Sequence, residues 1–202
     1  FAEDVQQFLG VESLDVFPVG KGDRRSFLRE RPESAIIGSK INRTKTWKDI
    51  PIRDIAGLFV ADMLTDVRQR NSESIVAVDL GDRTFGVSTV NDGAGLTDLS
   101  KIEITNRMQM SIDDLLKASI NSRYSEYYRT LKTQQQAQMR QLIATLLRKA
   151  RKFNFNQYRD RLNASTELSE GEKIHIEVLG KIIGQRIRIL SQGLKLDTWL
   201  NN

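Results

Sequence analysis

From Ser111 to Phe153 the chain reads SIDDLLKASINSRYSEYYRTLKTQQQAQMRQLIATLLRKARKF, and the fold turns on this stretch. No Gly or Pro interrupts it. Ile112, Leu116, Ile120, Tyr124, Tyr127, Leu131, Met139, Leu142, Leu146 and Ala150 recur mostly at three- and four-residue intervals, the period of one helix face. Ser111 is placed to cap the N-terminus, and Asp113 and Asp114 suit the positive end of the helix dipole. A single helix of about 42 residues would span about 63 Å, longer than a small domain needs. The tract is therefore expected either as a protruding, coiled-coil-like element or as two helices. The polar run Thr133 to Gln138 would supply the break or an exposed middle.

Charge gives the tract a second property. Of 202 residues, 31 are Lys or Arg and 26 are Asp or Glu, a net charge of +5. Residues 1–100 carry 13 basic and 16 acidic residues, whereas residues 101–202 carry 18 and 10. Arg123 to Arg161 alone holds 10 basic and 2 acidic residues, which accounts for the whole excess of the second half. A stripe of one sign favours a polyanionic partner, either nucleic acid or an acidic protein surface. Hydrophobic residues make up 39% and charged residues 28%, the balance of a globular chain rather than a disordered one. The absence of Cys excludes disulfides, thiolate catalysis and Cys-ligated metals, and a single His, His175, excludes a His-rich metal site. No run of about 18 apolar residues is present, so no transmembrane helix is expected. No signal-peptide core is visible, which points to a cytoplasmic or virion location. A chain that begins at Phe1 reads as a processed product, a fragment or a trimmed chain.

Outward from the tract, residues 1–48 read as an extended arm. A short helix from Ala2 to Leu9 stops at Gly10, and Pro18, Gly20, Gly22 and the charged runs beyond cannot build a core alone. Residues 49–110 read as a helix followed by a small antiparallel β-meander. Asp49 to Arg70 has an apolar face at Ile52, Ile55, Phe59, Met63 and Val67, with Pro51 and Asp54 in the first turn. Ser74 to Leu80, Thr84 to Val90 and Lys101 to Thr105 are the three expected strands. Residues 111–202 form a helical region. Its last element opens on the capping-box pattern Ser169-Glu170-Gly171-Glu172, with an apolar face at Ile174, Val178, Leu179, Ile182, Ile183 and Ile189; a hairpin turning at Gly180 to Gly184 competes. The expected fold class is α+β and helix-dominated, with long amphipathic helices in the C-terminal half.

Two constellations could carry chemistry. The run Ile75-Val-Ala-Val-Asp-Leu-Gly-Asp-Arg-Thr-Phe-Gly-Val-Ser88 resembles the first hairpin of RNase H-like folds, particularly Holliday-junction resolvases of the RuvC and YqgF type. The resemblance covers Ser74 to Asn106 and implies that Asp79 is a catalytic, metal-binding carboxylate for Mg²⁺ in a nuclease. No further strand-end carboxylate of the family is found, and a hairpin whose Asp79 and Asp82 cap a turn is the competing reading. The second constellation is basic: Arg140, Arg148, Lys149, Arg151 and Lys152 at helical spacing, then Arg159 and Arg161 interleaved with Phe153, Phe155 and Tyr158. Such a surface can neutralise phosphates and offer rings for stacking, or can simply be the solvated back of a helix. The combined expectation is a non-enzymatic structural or assembly subunit that needs no cofactor and oligomerises with other subunits away from membranes. A processed phage virion protein with a basic face near nucleic acid is one form of it. An RNase H-like nuclease and a nucleic-acid-binding module are the alternatives.

Overall fold

The structure, a computed structural model, describes residues 8–10, 16–19, 26–29, 35–37, 50–65, 75–79, 84–88, 111–117, 122–164 and 168–193. Six helices carry the packing: α1 (Ile52–Thr65), α2 (Ile112–Lys117), α3 (Ser122–Thr130), α4 (Thr133–Ala150), α5 (Phe155–Asn163) and α6 (Glu170–Gly193).

Helix α1 is the axis of the core. Pro51 fits the start of a helix, and its carbonyl accepts hydrogen bonds from the amides of Asp54 (3.0 Å) and Ile55 (3.3 Å). Ile55, Ala56, Leu58, Phe59, Val60, Ala61 and Leu64 are all buried. Successive residues turn by about 100°, so this run covers every side of the helix rather than the single face expected. Small residues at Ala56, Gly57 and Ala61 keep the helix thin where its neighbours close on it. Its most extensive neighbour is α4, and α6 also packs against it.

The expected α+β class with a three-stranded meander is overturned. The described buried core belongs to helices and the residues beside them, namely Leu9, Ile50, α1, α2, α3, α4 and α6. The strand pairings that occur are short. Val16–Val19 pairs with Ser26–Arg29, and Ile75–Asp79 pairs with Thr84–Ser88 and with Ala35–Ile37, all antiparallel. Ile75–Asp79 therefore has as its second neighbour a segment expected to be arm, while Lys101 to Thr105 lies outside the described residues. The β-branched run at 75–79 favours extended backbone locally, but its pairing is a long-range choice that local pattern does not fix.

The Ser111–Phe153 tract is neither one long helix nor two. Its described residues form α2, α3 and α4. Ser111 opens α2 with a reciprocal cap: the Asp114 amide donates to Ser111 Oγ (3.1 Å), and the Ser111 amide donates to Asp114 Oδ2 (3.2 Å). At the other end of α2, Ser125 Oγ donates to the Lys117 carbonyl (3.2 Å). The break between α3 and α4 falls at Leu131 and Lys132, ahead of the polar run rather than within it. That run serves the break. Gln136 Nε2 donates to the Tyr128 carbonyl (3.0 Å), Gln135 Oε1 accepts from the Lys132 amide (3.0 Å), and Thr130 Oγ1 donates to the Tyr127 carbonyl (2.7 Å). Side chains thus satisfy backbone groups that an interrupted helix would orphan.

In α4 the fully buried stripe is Met139, Ile143, Leu147 and Ala150, with Ala144 beside it; the expected Leu142 and Leu146 are only half-buried. Phe8 packs edge-to-face on Phe153 at 5.1 Å and Leu9 enters the core, so the described start of the chain docks on the C-terminal end of α4. Gly10 ends this segment at φ 80°, a left-handed conformation that favours glycine.

Glu170–Gly193 is a continuous helix, not a hairpin. Ile183, Ile187 and Leu190 enter the core from α6, and Arg186 is buried with them. Arg186 Nη1 donates to the Leu64 carbonyl (2.9 Å) in the last turn of α1. The N-terminal part of α6 packs against α5 through Gly180. A Cβ there would lie 1.9 Å from the Phe155 ring, so only glycine admits that ring.

Candidate functional site

The sequence YSEYY in α3 builds the main polar constellation. Tyr124, Tyr127 and Tyr128 all bury their rings, and each hydroxyl is sent to a different partner. Tyr124 stacks edge-to-face on Phe59 at 5.2 Å and donates to Asp62 Oδ2 at 2.5 Å, so two residues one turn apart on α1 grip one ring. Tyr127 donates to the Ile50 carbonyl at 2.8 Å. Burial, reinforced by the charge of Asp54, pushes the Tyr127 hydroxyl up to about 12. Tyr128 donates to Asp113 Oδ1 and accepts from Arg140 Nη1 at 2.5 Å. Arg140 also reaches Asp113 at 3.3 Å, and Lys117 pairs with Asp113 one turn along α2. The bonds from Lys117 and Tyr128 hold the Asp113 carboxyl below its ordinary value, against a smaller opposing effect of burial. This cluster ties α2, α3 and α4 together, and its groups are spent on one another.

That placement divides the predicted basic stripe. Arg140 turns inward to Asp113 and Tyr128. Arg148 is half-buried, with its Nε enclosed. Arg159 pairs with Asp160 at 3.0 Å. Lys149, Arg151 and Lys152 are exposed at the C-terminal end of α4, where cations also suit the negative end of the helix dipole. The Lys149 ammonium lies 5.6 Å from the centre of the Phe8 ring, within cation–π range. The side chain of Arg161 lies outside the described residues.

Asp79 sits at the end of its strand, in register with Thr84, and its side chain lies outside the described residues. Among the described residues no three His, Asp or Glu side chains gather as a metal site. Among them, too, no helix is long and apolar enough to cross a membrane.

Sequence reading placed Ile174 and Val178 on the apolar face of the last helix, and the structure leaves Ile174 mostly and Val178 partly exposed. Ile174 is 63% exposed and Val178 37%. Around them Glu170 pairs with Lys173 (2.9 Å) and Glu177 with Lys181 (3.0 Å). An open depression is lined by Glu170, Lys173, Ile174 and Glu177. The Lys181 ammonium holds the Glu177 carboxyl below its usual range. These two branched aliphatics are thus fringed by ion pairs on the outer side of the helix. No family model, curated protein or solved structure matches the chain.

Proposed function

We propose that the chain is a non-enzymatic structural subunit of a larger assembly. The observation that carries this reading is the outward face of α6. Ile183, Ile187 and Leu190 already anchor this helix in the core, so Ile174 and Val178 are not needed to hold it in place. Burying each of them against a partner would return about 1–2 kcal/mol. The Tyr128–Asp113–Arg140 cluster supports the same reading, because its polar groups are committed to joining helices. A virion subunit is one concrete form of such an assembly protein.

Sedimentation of the full chain over a wide concentration range tests the reading. Mass above the monomer that grows with concentration is expected. A compact monomer at every concentration would sink the reading.

A specific observation favours a second property, contact with a polyanion. Lys149, Arg151 and Lys152 are exposed within one turn of each other, beside the half-buried Phe153. This is a smaller set than the sequence stripe, because Arg140, Arg148 and Arg159 are half-buried. A surface of this kind binds phosphate backbones by charge without reading sequence.

A further inference from the structure

We infer that the face of α6 at Ile174 and Val178 takes a second copy of this chain, with the two helices antiparallel. The inference rests on the assembly reading above and adds the partner and its orientation.

The geometry of one helix carries the argument. Residues nine apart on a helix point to opposite sides, so Ile174 faces away from Ile183, which is buried. Glu170 and Lys181 lie close to the line through Ile174 and Val178, one beyond each end of the apolar pair. The order along the face is therefore Glu170, Lys173, Ile174, Glu177, Val178, Lys181, with acid and base alternating around the apolar pair.

This order is self-complementary in one orientation. A two-fold axis midway between Ile174 and Val178 brings Glu170 of one copy opposite Lys181 of the other, twice over, with the four aliphatic side chains between them. A parallel pair would instead set Glu170 against Glu170 and Lys181 against Lys181. Like charges in register disfavour that arrangement. Re-pairing costs little, because the present partners are one turn away on the same helix and such local pairs are weak. The patch is small against the roughly 800 Å² per partner of a standard interface, so the pairing is weak and concentration-dependent.

The chain has no cysteine, which makes cross-linking clean. Positions 170 and 181 are separated by about 16 Å along one helix, beyond the roughly 7 Å reach of a disulfide. Glu170→Cys and Lys181→Cys chains are mixed at high concentration under mild oxidation, with thermal melts to confirm that both fold. The unmodified chain is sedimented alongside. The expected result is a mixed disulfide dimer in several-fold excess over either homodimer, together with concentration-dependent association of the unmodified chain. Val178→Lys should weaken that association at least about tenfold. Association without preferential mixed cross-linking, or unaffected by Val178→Lys, would overturn this seam and leave the assembly reading standing. No association at any concentration would overturn both.

Discussion

Tyr124 shows how single residues join this core. Its hydroxyl reaches Asp62 across 62 positions of sequence, and both groups are buried. Tyr124→Phe keeps the ring against Phe59 and deletes only the hydrogen bond, so it should cost about 1–3 kcal/mol in urea unfolding. Two neighbouring groups carry pH signatures of opposite sign. Tyr127 is raised from 10.0 to about 12, so its neutral form is favoured on folding. Its contribution is fully present below pH 10 and is lost as pH rises toward 12; Tyr127→Phe should flatten that alkaline limb. Asp113 is lowered from 3.8, so its contribution is present above that value and is lost as pH falls below it. Asp113→Asn should flatten the acid limb of a stability–pH curve, and by a modest amount, because the carboxylate is half-exposed and partly screened by solvent.

Among the helices, the tightest constraint is the contact of α5 with α6. Gly180→Ala improves helix propensity by about 1 kcal/mol but drives a methyl into the Phe155 ring. The clash should prevail, for a net loss of about 1–3 kcal/mol, and adding Phe155→Leu should recover part of it. Calorimetric melts of the two variants check this pair. Some helix starts were legible in the sequence, because capping is local chemistry, whereas those of α3 and α5 were not. Ser111 caps as its position predicts, and Glu170–Gly193 begins where Ser169 announces it. The rotation of α4 was not legible. The run Leu142-Ile143-Ala144-Thr145-Leu146-Leu147 holds two adjacent apolar stripes, and period alone does not choose between them. The structure chooses Ile143 and Leu147, and the polar back then shifts enough to draw Arg140 inward to Asp113. The partners of Ile75–Asp79 were likewise beyond local pattern, since Ala35–Ile37 lies some 40 positions away. The same limit applies to α6, where spacing marks Ile174 and Ile183 as apolar without saying which one the core takes.

At the scale of the whole molecule, the candidate contact for a polyanion is the exposed group Lys149, Arg151 and Lys152. If Lys149, Arg151 and Lys152 are the contacts, duplex DNA binding should weaken with salt at a log–log slope of about −2 to −3. The triple Ala variant should abolish that dependence, whereas Arg159→Ala should leave it unchanged. Titration by fluorescence anisotropy at several salt concentrations reads both. The helical core accounts for why the chain holds together, and the proposed assembly rests on the outward face of α6. Sedimentation equilibrium of the full chain, beside Val178→Lys, tests that claim most directly. The account predicts reversible mass growth with concentration that the substitution suppresses while leaving the thermal melt intact. A chain that stays monomeric at every concentration, or one whose association is indifferent to Val178→Lys, would contradict it.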